Sequence, residues 1–380
     1  MTHGRAACDV VIPARNAEPY IAAAIQSVVD QSHAASRIIV VDDASTDGTA
    51  QAAATFGDRV RVVTGEGRGP AAARNLGVRQ SDGELIAFLD ADDVCHPDRL
   101  RLQRDTLIGH PAATMVFCDA EYVDASGART GSRFMCPEYR REAFLGQLFE
   151  RNRVLTTSVV MVRRSAFDAA GGFDERLSHA EDYDLWIRLA GIGDVEHVDQ
   201  PLVLYRLHAS NLSGNREALR RCEAAILNTH AVQAIRAALH DAHASPERTD
   251  LALSRTLFRM GRYDEGETLL RRVCPDAPDR ALRHFLLGNY ALTRGDGEAA
   301  AAEYDRCLVC DPTFAPAHNN LGVIAAVRGR PQLAVEHLLK AAVLRPGYSD
   351  PQRNLESLRD GRVSDLRHTF AQLRAVLRPA

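Results

Sequence analysis

Residues 83–93 read GELIAFLDADD: an apolar run from Leu85 to Leu89 leads straight into Asp90-Ala91-Asp92-Asp93. A short unbroken apolar run suits a strand buried on both faces, and the polar residues after it then emerge at one edge of a sheet. Working outward, the same pattern recurs. Cys8 to Ile12 is followed by Pro13-Ala14-Arg15-Asn16, and Arg37 to Val41 by Asp42-Asp43, while Val60 to Val63 is a further strand. Between them, Ala17 to Asp30 carries Ile21, Ile25, Val28 and Val29 on one helical face. Ser45 is placed to cap the next helix, with Asp47 in its first turn. Pro70 and Pro97 open two more helices, and Asp93 reads as the cap of the second. Strands alternating with helices predict a parallel sheet covered on both faces, with ligands beyond the carboxyl ends of the strands. Carboxylates concentrated there suit a hard divalent cation and, through it, phosphates. The G-x-G-x-x-G of a dinucleotide-binding enzyme is absent after the first strand.

The chain has 380 residues, a formal net charge of -4 and 25% charged residues with both signs interspersed. At about 150 residues per domain this predicts two or three domains. Nucleic acid is disfavoured as the main partner, because neutralising phosphates needs a clustered basic excess. No apolar run approaches the roughly 18 residues that span a bilayer, and Met1 to Val10 shows no signal-peptide core. The eight cysteines are therefore expected as reduced thiols. Cys307 and Cys310 form a C-x-x-C pair that falls within a helix and reads as packing. Lys340 is the only lysine, which removes a Walker phosphate loop and nearly removes Schiff-base chemistry.

The last third repeats. Gly261, Gly295 and Gly329 recur at one spacing, as do Leu253, Leu287 and Leu321, and Pro278, Pro312 and Pro346. The frames are 247–280, 281–314 and 315–348, each read as two helices with Gly at the turn and Pro at the stop. Small residues recur where the paired helices pack, although the first frame has Gly266 where the others have Ala300 and Ala334. The pattern resembles the tetratricopeptide repeat, whose period is about 34 residues. Stacked in this way, the first helices would present Arg255, Phe258, Asn289, Leu292, Asn320 and Val323 to a concave groove suited to a peptide or partner protein.

Residues 8–212 resemble an inverting family 2 glycosyltransferase. The resemblance rests on VVIPARNAEPYIAAAIQSVVDQ, IIVVDDASTDGT, GRGPAAARNLGVRQSDGELIAFLDADD, TTSVVMVRRSAFDAAGGFDERL, AEDYDLWIRLA and YRLHASNLS, in that order. It implies an α/β nucleotide-diphospho-sugar transferase (GT-A) domain with a mixed, mostly parallel sheet over 1–212. A helical linker (213–246), an all-α tetratricopeptide solenoid (247–348) and C-terminal capping helices (349–380) would follow, residues 362–378 being an Arg-rich amphipathic stretch. The implied reaction moves a sugar from a nucleotide-sugar donor, a UDP-sugar ahead of a dTDP-sugar, to the hydroxyl of a glycan, lipid-linked glycan or protein acceptor. It implies a divalent metal ion, Mn2+ or Mg2+, a role in bacterial cell-surface polysaccharide biosynthesis, and a cytoplasmic place, free or peripheral at the inner membrane.

The residues take roles accordingly. A pyrimidine base offers an N3–H donor that a carboxylate accepts well. Asp43 fills that role, with Asp42 the alternative, and both also fit a loop acid at a helix start. Pro13 and Arg15 would flank the base, Arg15 standing where Tyr is common in the family. Asp90 fits the ribose hydroxyls and Asp92 the cation at the diphosphate. The family places its general base at the second acid of the Glu181-Asp182 pair, and the chemistry needs a carboxylate there, because a sugar hydroxyl is a weak nucleophile. His208 reads either as a metal or diphosphate contact or as a packing residue. Gly172 reads either as a close approach of backbone to ligand or as a plain turn, and Arg163 and Arg164 either as phosphate contacts or as surface charge. Two competing classes are a repeat scaffold with a degenerate, non-catalytic transferase domain, and a sugar nucleotidyltransferase. Retention of Asp43, Asp90, Asp92 and Asp182 together speaks against the first, and the Glu-Asp pair after GGFDERL against the second.

Overall fold

The computed structural model describes residues 6–136, 138–208, 216–272 and 279–370, which form two compact units dividing after Ala242. The first unit begins β1 (Cys8–Ala14), α1 (Ile21–Val29), β2 (Arg37–Asp42), α2 (Thr49–Ala54), β3 (Val60–Thr64), α3 (Pro70–Arg79), β4 (Leu85–Phe88) and β5 (Val94–Cys95). It continues through α4 (Arg99–Gly109), β6 (Ala113–Val123), β7 (Arg129–Phe134), α5 (Phe144–Glu150), β8 (Val160–Arg163), α6 (Arg164–Ala170), α7 (Glu181–Ile192) and β9 (Asp194–Arg206). The strands form one sheet in the order β3-β2-β1-β4-β8-β6-β9-β5, with β7 beside the far end of β6.

The parallel sheet expected from the strand–helix alternation is the stretch β3-β2-β1-β4. Beyond β4 the pairing turns antiparallel through β8 to β6 and parallel again between β6 and β9, so the whole sheet is mixed. The chain leaves β1 toward β2 and β3 on one side and returns to β4 on the other. That reversal opens a crevice at the carboxyl ends of β1 and β4. All four residues of β4 are buried, as its continuous apolar run requires. Its position is fixed from beneath by Arg99, a fully buried arginine whose Nη2 donates to the carbonyls of Phe88 (2.9 Å) and Val160 (3.0 Å). α3 lies directly on β1: a Cβ added at Gly77 would stand 2.3 Å from Val11 Cγ1.

Three local readings are corrected. Asp93 is not the cap of α4; it is buried between Ser158 and the Arg206 amide, and the helix starts at Arg99 with no side-chain cap. Ser45 does not cap α2 either, because its hydroxyl accepts the Asn16 amide across the crevice. Asp47 does that work, accepting the Thr49 amide at 3.0 Å. Arg163 and Arg164 are spent on backbone carbonyls and Ser81: Arg163 on Ala113 and His110, Arg164 on Gly83 and Val78.

The helices of the expected connection, α8 (Arg216–Asn228) and α9 (Val232–His243), group with the first unit up to Ala242. α9 packs backbone to backbone on α5, since a Cβ at Gly146 would fall 2.1 Å from the Ala238 carbonyl oxygen.

The second unit stacks three helical hairpins: α10 (Pro246–Arg259) with α11 (Tyr263–Arg272), α12 (Arg280–Thr293) with α13 (Gly297–Cys310), and α14 (Ala315–Val327) with α15 (Pro331–Leu344). α16 (Ser349–Arg359) covers the last. Gly261, Gly295 and Gly329 turn the hairpins at φ 75°, 73° and 71°, a region that L side chains avoid. Gly266 is explained by its neighbour: a Cβ there would meet the Tyr290 hydroxyl at 1.8 Å. Cys307 is buried within α13 and Cys310 lies one turn on, both as free thiols. Cys274-Pro275, which in the sequence shortens the second helix of the first frame, lies outside the described residues. The amphipathic stretch expected at 362–378 is not a helix where it is described: after a short 3-10 turn at Val363–Asp365, residues 366–370 run without helix along the repeats. Among the described residues no helix is long and apolar enough to cross a membrane.

Candidate active site

The site is organised by a residue that carries no motif signal of its own. Arg74 sits on α3 among alanines, is 5% exposed, and reaches the crevice between two carboxylates. Its Nη2 donates to Asp90 Oδ1 and its Nη1 to Glu181 Oε1, each at 2.7 Å, while the guanidinium lies 5.5 Å over the Phe173 ring. A buried arginine is tolerated only when its charge is matched, and here burial is outweighed by Asp90 and Glu181, which hold its pKa above the ordinary value. A lone Arg on an otherwise small, apolar helical face, AAAR in the sequence, is the signal that could have found it.

Asp90 follows β4 and is fully engaged. Thr156 and Thr157 donate to it at about 3.0 Å, and its own amide donates to Ser158 Oγ at 2.9 Å. Burial opposes its ionisation, but the Arg74 charge and these hydrogen bonds outweigh it and hold the carboxyl below its usual range. Ala91 and Asp92 form a turn closed by the Asp93 amide on the Asp90 carbonyl, so Asp90 and Asp92 do not share a face as alternate strand residues would. Asp92 instead meets His208, Oδ2 to Nε2 at 2.7 Å. Burial, then the nearby Asp90 charge, raises the Asp92 pKa. Tyr20 stacks on His208 at 5.4 Å and lies under the Arg206 guanidinium at 5.0 Å, so loop and strand ends are locked together around the pair.

Glu181 and Asp182 open α7 directly after Ala180, which adopts a left-handed φ of 60°. Such strain in a non-glycine residue is held only where the surroundings over-determine it, and it turns the Glu181-Asp182 pair into the crevice. The two acids divide. Glu181 pairs with Arg74, whereas the Asp182 carboxylate accepts the Tyr183 amide at 2.7 Å. Burial and then the Glu181 charge push the Asp182 pKa up to about 7.

At the β2 end, Asp43 is 4% exposed and accepts the amides of Gly67 and Gly69, one on each carboxylate oxygen, at 2.8 Å. It shapes the loop that leads into α3. Asp42 accepts the Ser45 amide at 3.3 Å. Pro13 lies in β1 beside Val41, and Arg15 is exposed at the crevice rim. Gly172 is accounted for by packing: a Cβ there would stand 2.9 Å from Asn75 Oδ1 and 3.2 Å from the Phe167 ring. It lines a cleft of about 880 Å³ with Arg79, Arg164, Asp174 and Arg188, a lining that includes none of Asp90, Asp92 and Asp182.

Among the described residues, no group of three or more His, Cys, Asp or Glu side chains could hold a metal ion by itself. Asp92 and His208 nevertheless form a converging oxygen–nitrogen pair. Two protein donors suit an octahedral Mg2+ or Mn2+ whose other ligands are water and phosphate oxygens, so the residues fit such an ion.

A mixed sheet with acids gathered at its switch-point edge is the GT-A architecture of glycosyltransferases. Residues 9–171 match the model of glycosyl transferase family 2, and residues 251–315 match a tetratricopeptide repeat model. In those stretches the chain carries a family 2 glycosyltransferase domain followed by tetratricopeptide repeats. It is 28% identical over 212 residues to the Escherichia coli UDP-Glc:alpha-D-GlcNAc-diphosphoundecaprenol beta-1,3-glucosyltransferase WfgD, covering 55% of this chain and 80% of that protein. It is 28% identical over 208 residues to Escherichia coli chondroitin synthase, covering 54% and 29%. A glycosyltransferase of Rickettsia prowazekii is 27% identical over 204 residues, covering 53% and 64%, so the chain spans less than two thirds of the latter two relatives. The structure of S. aureus TarS 1–349 in complex with UDP-GlcNAc shares the fold, with a TM-score of 0.51 at 17% identity over 94% of this chain and 92% of that one.

Proposed function

We propose that this protein is a metal-assisted, inverting glycosyltransferase that takes its sugar from a UDP-sugar. The observation that carries the reading is the division of labour around Arg74. Glu181 and Asp90 share its single guanidinium charge, while Asp182, next to Glu181 and without a cationic partner of its own at hydrogen-bond distance among the described residues, keeps a proton affinity matched to neutral pH. A base with a pKa of about 7 is available as carboxylate yet basic enough to take a hydroxyl proton. Asp182 therefore deprotonates the acceptor hydroxyl as it attacks the anomeric carbon from the face opposite the nucleotide. The C–O bond to the acceptor forms, the bond to the diphosphate breaks, and the configuration inverts.

Asp90, held by Arg74, takes the ribose hydroxyls in place of the Thr156 and Thr157 hydroxyls that it now accepts. Asp92 and His208 would hold the divalent cation, which when bound neutralises charge on the leaving nucleoside diphosphate. Asp43 is pre-set by the two glycine amides, and each of its oxygens retains a lone pair for the N3–H of uracil. Pro13 and Arg15 flank that position. A UDP-sugar donor agrees with the activity named for the WfgD relative, and polysaccharide or lipid-linked acceptors agree with both E. coli relatives. The repeats supply the acceptor or a protein that carries it.

The test is UDP release by the full chain across a UDP-sugar panel, with Mn2+ and with EDTA. One donor should be hydrolysed or transferred in Mn2+ and lose most of that activity in EDTA, and Asp92→Asn should behave in Mn2+ as the wild type does in EDTA. Undiminished turnover in EDTA contradicts the metal reading, and retained configuration in the product contradicts direct displacement.

A further inference from the structure

The repeat groove, expected to be open to a partner, is filled by the chain itself. Asn289 and Asn320, placed on the groove by the repeat frame, are fully buried, and Val323 is nearly so. What covers them is residues 366–370, and the contacts are of an unusual kind. Asn354 donates to the Arg367 carbonyl (2.9 Å) and accepts the Arg367 amide (2.8 Å). Asn320 does the same two residues on, donating to the Thr369 carbonyl (2.9 Å) and accepting the Thr369 amide (2.7 Å). Asn289 then donates to the Phe370 carbonyl at 3.1 Å. Asn320 and Asn354 stand one repeat period apart, which makes α16 the first helix of an incomplete fourth repeat. Each of these two amides offers one donor and one acceptor to a single residue, the pairing a neighbouring β-strand would offer. Because alternate residues of an extended chain share a face, two amides can read positions i and i+2 of any extended peptide.

Two side chains of the segment are also read. The Thr369 hydroxyl, in a residue 6% exposed, donates to Asp350 Oδ2 at 2.8 Å and meets the Tyr348 hydroxyl. The Phe370 ring stacks on Phe258 at 5.6 Å. Arg367 remains exposed. Leu366 packs against the buried cluster of Ala325, Ala326 and Ala334. The groove thus specifies main chain at Arg367, Thr369 and Phe370 and, beyond that one apolar contact, a Thr-aromatic pair in sequence.

We propose that the groove is an extended-peptide site, that residues 366–370 are its internal ligand, and that a partner segment carrying Thr followed by an aromatic residue enters by displacing them. A tethered occupant works at an effective concentration of about millimolar, and an outside peptide sees its affinity reduced by the fraction of grooves that are empty. The repeats then engage a partner only when it outcompetes the tether. This rests on the protein-binding role of the repeats and not on the glycosyl-transfer chemistry, and its test reads peptide binding alone.

The experiment uses the full chain and a fluorescein-labelled peptide VSDLRHTF, the sequence of residues 363–370. The Thr369→Ala/Phe370→Ala variant removes the two side-chain anchors of the internal ligand and leaves the groove intact. It should bind the peptide about tenfold or more tightly than wild type, and adding Asn320→Ala and Asn354→Ala should abolish that gain. A peptide ending in Ala-Ala should bind at least about tenfold more weakly than VSDLRHTF. Equal affinity of wild type and variant for VSDLRHTF overturns the proposal. So does loss of helical circular dichroism in the variant, because the segment would then be an integral strap of the repeats. Equal binding of the two peptides overturns the Thr-aromatic specificity.

Discussion

Two buried polar centres anchor this protein, and they are built on opposite principles. In the first unit, Arg74 holds Asp90 and Glu181 by charge, with Asp182 close enough to be affected. In the second, Asn289, Asn319, Asn320 and Asn354 hold a backbone segment with no net charge among them. A charged centre transmits its state over distance: fixing two carboxylates beside a third sets the proton affinity of the third. A neutral amide network acts only within hydrogen-bond reach and is indifferent to pH. The first arrangement suits chemistry on protons and phosphates. The second suits the recognition of main chain, where the ligand is neutral too.

Removing the central charge should have the largest effect. Arg74→Met leaves the buried Glu181 and the half-buried Asp90 without their partner, a loss of up to about 3–5 kcal/mol for a broken buried pair. Thermal unfolding at pH 7 should show a lower midpoint, and donor turnover should fall even at temperatures where the variant is folded. Part of the stability should return at acid pH, where Asp90, no longer held below its usual range by the guanidinium, protonates. A variant as stable as wild type at pH 7 would show that the centre is solvated and the contrast with the repeats false.

The neutral centre should fail more gently. Asn354→Ala removes both of its bonds to Arg367, leaving the Arg367 amide to find water while the carbonyl keeps Asn319, at about 1–3 kcal/mol. Arg367 is already exposed, so the lower end of that range is expected. Denaturant unfolding followed by circular dichroism should show the loss unchanged between pH 7 and 8, where the His368 imidazole of the segment, its pKa lowered by burial, is neutral, while UDP release stays at the wild-type rate. A loss that varies with pH would place a titrating group in the network.

How much of this was legible beforehand follows from the same contrast. The strands were readable because a strand buried on both faces must be apolar throughout, as Leu85 to Phe88 is. The repeats were readable because Gly261, Gly295 and Gly329 must each turn a hairpin at positive φ. Asp92 and His208 were named separately, and the structure brings them to 2.7 Å although 116 residues separate them in sequence. Arg74 went unread because its role depends on partners 16 and 107 residues away, which no local pattern announces. The same holds for the groove. Asn289 and Asn320 were placed correctly on the first helices, but an amide on a groove looks the same in sequence whether its ligand is foreign or the chain's own. Asp93 was misread because an acid four residues before a proline fits a helix cap, whereas the structure buries it at 1% exposure under the Arg206 amide.

The central claim is that Asp182 is the base and that its neighbours tune it. The most direct measurement is the pH dependence of turnover at saturating donor and acceptor, for wild type and Asp182→Asn. Only the deprotonated carboxylate can accept the hydroxyl proton, so wild-type turnover should be level above a pKa of about 7 and fall about tenfold per pH unit below it. Asp182→Asn should lose about 10²–10⁴ in turnover at pH 8, keep its affinity for UDP, and no longer show that limb. A variant that turns over at the wild-type rate, or that retains the same acid limb, would contradict the assignment.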